Sequence, residues 1–131
     1  MEKDLIIGAF KNYDFEQVKP WIKSINECGF TGDKVLFAID ADNETCKQIA
    51  SEGFKVIQAQ SQTGMMFHME RFIHIYNFLR ENKGKYRYVI TTDVRDVIFQ
   101  SNPSDYIRMY INDSKLLASG EAILIKNEPW N

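Results

Sequence analysis

Leu5-Ile6-Ile7-Gly8-Ala9-Phe10 is an unbroken apolar run bounded by Asp4 and Lys11. A strand with one wet face alternates apolar and polar residues, whereas one without alternation is covered on both faces, as in parallel sheets. The run therefore predicts a buried strand of an α/β sheet, and being first it is expected near the middle. Two further strands are expected over 33–40, with Val35-Leu36-Phe37-Ala38-Ile39 as an apolar core, and over 54–59. Between the first two, Asn12 or Asp14 is placed to cap a helix running to about Cys28, with Trp21, Ile22 and Ile25 as its buried stripe and Gly29 as its stop. Pro20 either occupies the first turn of a helix starting near Lys19 or interrupts a longer one. Asn43 begins a shorter helix reaching about Glu52, with Cys46, Ile49 and Ala50 inward and Gly53 ending it. Strand, helix, strand, helix, strand with short connections predicts parallel strands joined by right-handed crossovers.

Beyond a polar loop over 60–66, a helix is expected over 67–82. Met69, Phe72, Ile73, Tyr76 and Leu79 recur there at helical spacing and are expected to face the core. His68, Arg71 and His74 fall on another face. The chain then enters KYRYVITTDVRDVIFQSNP, residues 85–103. Tyr86, Tyr88, Val89, Ile90, Thr91 and Thr92 are β-branched or aromatic and predict a fourth strand ending at Asp93. Asp93, Arg95 and Asp96 crowd a short polar turn before Val97-Ile98-Phe99 resumes the apolar pattern. Asn102-Pro103 closes the segment. A short helix over 104–110 and two short strands, 115–119 and 122–125 around Gly120, complete the expected elements.

With 131 residues the chain is long enough for one core but not comfortably two, so residues 1–131 are read as a single domain. A net charge of -2 gives no general attraction to nucleic acid or to an anionic membrane. No apolar run is long enough to span a bilayer, and the start MEKDLIIGAF lacks the pattern of a secretory signal, so a cytoplasmic location is expected. Cys28 and Cys46 fall in different helical segments and read as free thiols.

In open parallel sheets, ligands bind at the carboxyl ends of the strands where the strand order reverses. A strand order of three, two, one, four would set three exits side by side: Ala9 to Tyr13, Asp40 with Asp42, and Asp93 to Asp96. Ala9 and Asn12 would offer backbone, Phe10 and Tyr13 an aromatic surface for a base, and Asp40 a carboxylate for hydroxyl groups. Arg71 would add positive charge for a diphosphate. Asp93 and Asp96 would supply hard oxygen ligands to magnesium or manganese, whose shell phosphates commonly complete. A nucleoside diphosphate linked to a neutral group suits this set.

These residues resemble the nucleotide-sugar-dependent glycosyltransferases of the GT-A fold, whose Rossmann-like half ends in a strand carrying an Asp-x-Asp motif. The resemblance spans most of the chain and is specific near Arg71 and from Val89 to Pro103. It implies that Asp93 contacts ribose or metal, that Arg71 approaches the nucleotide, and that a sugar passes from a nucleoside diphosphate, with UDP favoured, to an acceptor hydroxyl. The motif departs from the family's at its third position, which is Arg95, the second carboxylate arriving one residue late as Asp96. Either a turn makes Asp96 the metal ligand, which we favour, or Arg95 itself neutralises the diphosphate. Family members are longer, so the donor-binding part of a larger domain is expected. Glu121 and Glu128 are the base candidates within the chain. A non-catalytic nucleotide-sugar-binding module is the alternative. A phosphotransferase of the haloacid dehalogenase type fits less well, because its Asp pair follows the first strand of the domain rather than the fourth.

Overall fold

The computed structural model describes residues 3–62 and 64–118. Glu121, Glu128 and the strand expected over 122–125 lie outside the described residues. The elements run β1 (Lys3–Lys11), α1 (Phe15–Glu27), β2 (Asp33–Ile39), α2 (Asn43–Ser51), β3 (Lys55–Ala59), α3 (Phe67–Glu81), β4 (Tyr86–Thr91) and α4 (Pro103–Tyr110). The strands form one sheet in the order β3-β2-β1-β4, and every pairing is parallel. This is a Rossmann-like α/β fold. No helix among the described residues is long and apolar enough to cross a membrane.

The apolar run does what its lack of alternation predicts. Leu5, Ile7 and Ala9 point to one face, where they pack with Val35, Phe37 and the α3 residues Ile75 and Phe78. Ile6 and Phe10 point to the other, against Val18, Trp21, Ile22 and Ile25 of α1 and Cys46 and Ile49 of α2. Each large side chain buried completely in this way contributes roughly 1.5–3 kcal/mol.

Local chemistry sets the helix ends. Asp14 rather than Asn12 caps α1: its carboxylate accepts from the Gln17 N–H at 3.0 Å while Gln17 Oε1 accepts from the Asp14 N–H at 2.9 Å. Pro20 lies inside the helix, so the longer-helix reading holds. Gly29 leaves α1 with φ +87°, a conformation that favours glycine. In α2 the inward residues are Thr45, Cys46 and Ile49, while Ala50 is exposed. Cys28 and Cys46 are free thiols.

α3 corrects a larger expectation. Met69, Phe72, Ile73 and Tyr76 are exposed, at 42–62% of their surface, and the sheet is met by Glu70, Ile75 and Phe78. The helix is apolar around most of its circumference, so spacing alone selected the wrong stripe. A polar residue takes an inward position in the first turns, where buried Glu70 accepts from the Ser61 hydroxyl at 3.2 Å. Residues 115–118 form no strand.

Candidate functional site

Two residues leave the sheet in the left-handed region, Asn12 at φ 62° after β1 and Asp40 at φ 53° after β2. Asn and Asp tolerate this conformation better than most residues with a side chain. The Asn12 N–H donates to Ile39 O at 3.1 Å and the Asp40 N–H donates to Ala59 O at 2.9 Å, so each strand exit is tied to its neighbour. The exits of β1, β2 and β3 therefore form a continuous rim. On the other side of β1, the chain leaving β4 completes it. The order of connection reverses between β1 and β4, which is where this class of sheet offers a crevice.

The turn after β4 is anchored from below. Trp21 Nε1 donates to Thr92 Oγ1 at 3.0 Å, and the Thr92 hydroxyl donates to Asp93 O at 2.9 Å. Val94, only 3% exposed, enters the core beside Gly8, where an added Cβ would lie 2.8 Å from Val94 Cγ2. With Val94 pinned, Asp93, Arg95 and Asp96 are left exposed around it. One hydrogen bond and one core side chain thus hold a charged turn at the rim.

The side chains of the rim fall into two groups. On the α1 side, the Arg95 guanidinium lies 5.4 Å from the Tyr13 ring centroid, and Tyr13 stacks on Phe10 at 6.0 Å with the rings parallel to within 1°. Phe10 is fully buried and Ala9 nearly so. The expectation that Phe10 offers a ring to a ligand is therefore corrected: its ring is core, and Tyr13 is the half-buried ring stacked on it.

On the α3 side, Arg71 Nη1 donates to Asp93 Oδ1 and pairs with it. Lys11 continues the Leu5, Ile7, Ala9 series and donates from Nζ to Ser61 Oγ at 2.8 Å. The Ser61 hydroxyl donates to Glu70 Oε2 at 3.2 Å, and the Ser61 N–H donates to Asp40 Oδ1 at 3.0 Å. Asp40 is thus engaged with the loop before α3.

Lys11, Ser61 and Glu70 escaped the sequence reading. Lys11 could have been found as the next member of the period-2 series 5, 7, 9. Glu70 could have been found only by placing Ile75 and Phe78 inward. His74 stacks on Phe37 with centroids 5.2 Å apart and lies 3.7 Å from Glu70 Oε1.

Asp93 and Asp96 are the residues here that could hold a cation. Both are exposed, Asp96 has no hydrogen-bond or ion-pair partner among the described residues, and Asp93 is engaged by Arg71 through Oδ1. Among the described residues no group of three or more His, Cys, Asp and Glu side chains is placed to bind a metal. A magnesium or manganese ion on these two carboxylates would complete its shell with water and phosphate oxygens, the habit of hard cations in phosphate chemistry.

The fold and rim define a small α/β domain with a four-stranded, all-parallel sheet and a charged carboxyl edge. No known protein-family model matches the sequence, and no curated protein matches it.

Proposed function

We propose that the domain binds a nucleoside diphosphate sugar, a UDP-sugar in the favoured reading, and serves its transfer to an acceptor hydroxyl of a carbohydrate or similar molecule. One observation carries the reading: Arg71 and Asp93, drawn from different elements, meet at the carboxyl edge of the sheet beside the β1/β4 reversal. A cation and a carboxylate at such a crevice suit a diphosphate and the metal that accompanies it.

The chemistry follows from the groups. The acceptor oxygen attacks the anomeric carbon, the carbon–oxygen bond to the diphosphate breaks, and the nucleoside diphosphate departs with the electron pair. Arg71 offsets charge developing on that leaving group. Asp93 and Asp96 would hold a magnesium or manganese ion, which would supply the larger share of that neutralisation. Arg95 lies on the opposite side of the turn, over the half-buried Tyr13 ring, and together they offer a cation and an aromatic edge to a nucleobase. The acceptor proton passes to a base, for which Glu121 and Glu128 remain the candidates.

Turnover tests this directly. The chain is incubated with a panel of nucleotide sugars and hydroxyl acceptors, with and without manganese, and release of nucleoside diphosphate is followed. Metal-dependent release supports transfer. Tight binding with no turnover in any mixture identifies a binding module instead, and no binding of any nucleotide sugar contradicts the proposal.

A further inference from the structure

We propose that Lys11 is a second phosphate-binding residue of this rim, held by Ser61 and the buried Glu70, so that a diphosphate is gripped from β1 as well as from α3. The inference rests on the nucleotide-binding reading of the site.

Lys11 is half-buried at the end of the central strand, on the face that α3 covers. An ammonium has three donors, and here a neutral hydroxyl takes one of them. No carboxylate lies within ion-pair distance of Lys11 among the described residues. Partly removing a cation from water without an anionic partner is costly, which is the condition a phosphate relieves. The ammonium's position is set by its neighbour. Ser61 is fixed at its backbone by Asp40 and at its hydroxyl by Glu70, so the hydroxyl's lone pair is turned toward Lys11.

Independent support comes from an orphaned donor. Glu70 is 1% exposed, its Oε1 has no hydrogen-bond partner, and Arg71 Nε and His74 Nε2 are likewise buried without one. Glu70 Oε1 and His74 Nε2 face each other at 3.7 Å, an ion-pair separation, which leaves Arg71 Nε as the buried donor among these three with no partner among the described residues; such atoms are rare in native interiors. Arg71 Nε is an unused donor beside the rim, suited to a phosphate oxygen. Glu70, buried behind Ser61, orients the hydroxyl that holds Lys11. Lys11, Ser61, Glu70 and Arg71 thus read as one preorganised anion cradle.

The test is calorimetric titration of the whole chain with UDP, UMP and inorganic pyrophosphate, in the presence of manganese. Lys11→Met is expected to weaken UDP and pyrophosphate binding about tenfold or more, with a smaller loss for UMP, and Lys11→Arg to restore most of the affinity. Glu70→Gln is expected to weaken UDP several-fold while the protein stays folded. Parental UDP affinity in a folded Lys11→Met overturns the inference and leaves the nucleotide reading standing. If Lys11→Met does not fold, Ser61→Ala takes its place: a several-fold loss for UDP supports the cradle, and parental affinity overturns it. Lys11-dependent binding of pyrophosphate without binding of UDP keeps the cradle and ends the nucleotide reading. A parent chain that binds neither ligand overturns both.

Discussion

Arg71 of α3 donates its guanidinium to the carboxylate of Asp93 at the exit of β4, tying a helix on one face of the sheet to the charged turn at its edge. The pair spans 22 positions of sequence and is made at the point where strand order reverses. Asp93 keeps 62% of its side-chain surface exposed, so the pair contributes little to folding. Exposed ion pairs are worth about 0–1 kcal/mol. Asp93→Asn is therefore expected to shift the urea midpoint by no more than that equivalent, and Asp96→Asn to leave it unchanged. A loss of several kcal/mol in either would assign the turn to the core rather than to a site.

Gly8 is required by its neighbour rather than by its backbone. A methyl there would stand 2.8 Å from Val94 Cγ2 and 3.5 Å from the Trp21 ring, both in the core. Overpacking of this kind costs about 1–3 kcal/mol. Gly8→Ala is expected to lower stability by that amount in urea and, by lifting Val94, to weaken nucleotide binding as well. Full stability in that variant would show that Val94 can move aside.

Trp21 reaches the turn through one hydrogen bond, from Nε1 to Thr92 Oγ1. Trp21→Phe removes it along with some packing against Phe54 and Phe99. A net hydrogen bond is worth about 0.5–1.5 kcal/mol, and the smaller ring adds a cavity cost. A loss of about 1–3 kcal/mol is expected, read from equilibrium unfolding. Raised hydrogen exchange at Asp93 to Asp96 would show the turn loosening with it.

Acid is expected to destabilise the fold through Asp4 and Asp33. Burial pushes the Asp4 carboxyl up, but the two-pronged grip of Arg87, the hydrogen bond from Ser104 and the Tyr88 N–H together hold it below its ordinary value of 3.8. Asp33 behaves alike: burial raises it, while Tyr86, Lys3 and Lys85 together bring it below the same value. A carboxyl depressed in the folded state contributes stability that is complete above its unfolded pKa and lost as pH falls through its folded one. The melting temperature should therefore show no loss from these groups between about pH 7 and pH 5 and fall below about pH 4. Asp4→Asn should flatten part of that fall, and an unchanged acid limb would remove Asp4 from the account.

Much of the fold was legible because apolar runs without alternation have few other readings. Residues 5–10 and 35–39 announce buried parallel strands, and Gly29 and Gly53 punctuate the helices between them. The turn after β4 was legible for the same reason, since Val89 to Thr92 and Val97 to Phe99 bracket its charges. α3 was not. Met69, Phe72, Ile73 and Tyr76 make a better stripe by spacing than the residues that meet the sheet, because the inward face spends Glu70, Arg71 and His74 on the rim. Apolar spacing cannot find a buried helix face that is itself partly polar. The same reversal hid Glu70, and Phe10 was misassigned because the strand's last apolar residue cannot be told from its first exposed one without the sheet.

The most direct test is calorimetric titration of UDP into the chain and its Asp93→Asn and Asp96→Asn variants, each with and without manganese. The account predicts saturable binding that strengthens at least tenfold with manganese in the parent and loses that gain in both variants while each remains folded. Binding that ignores manganese, or that survives both substitutions unchanged, would contradict it.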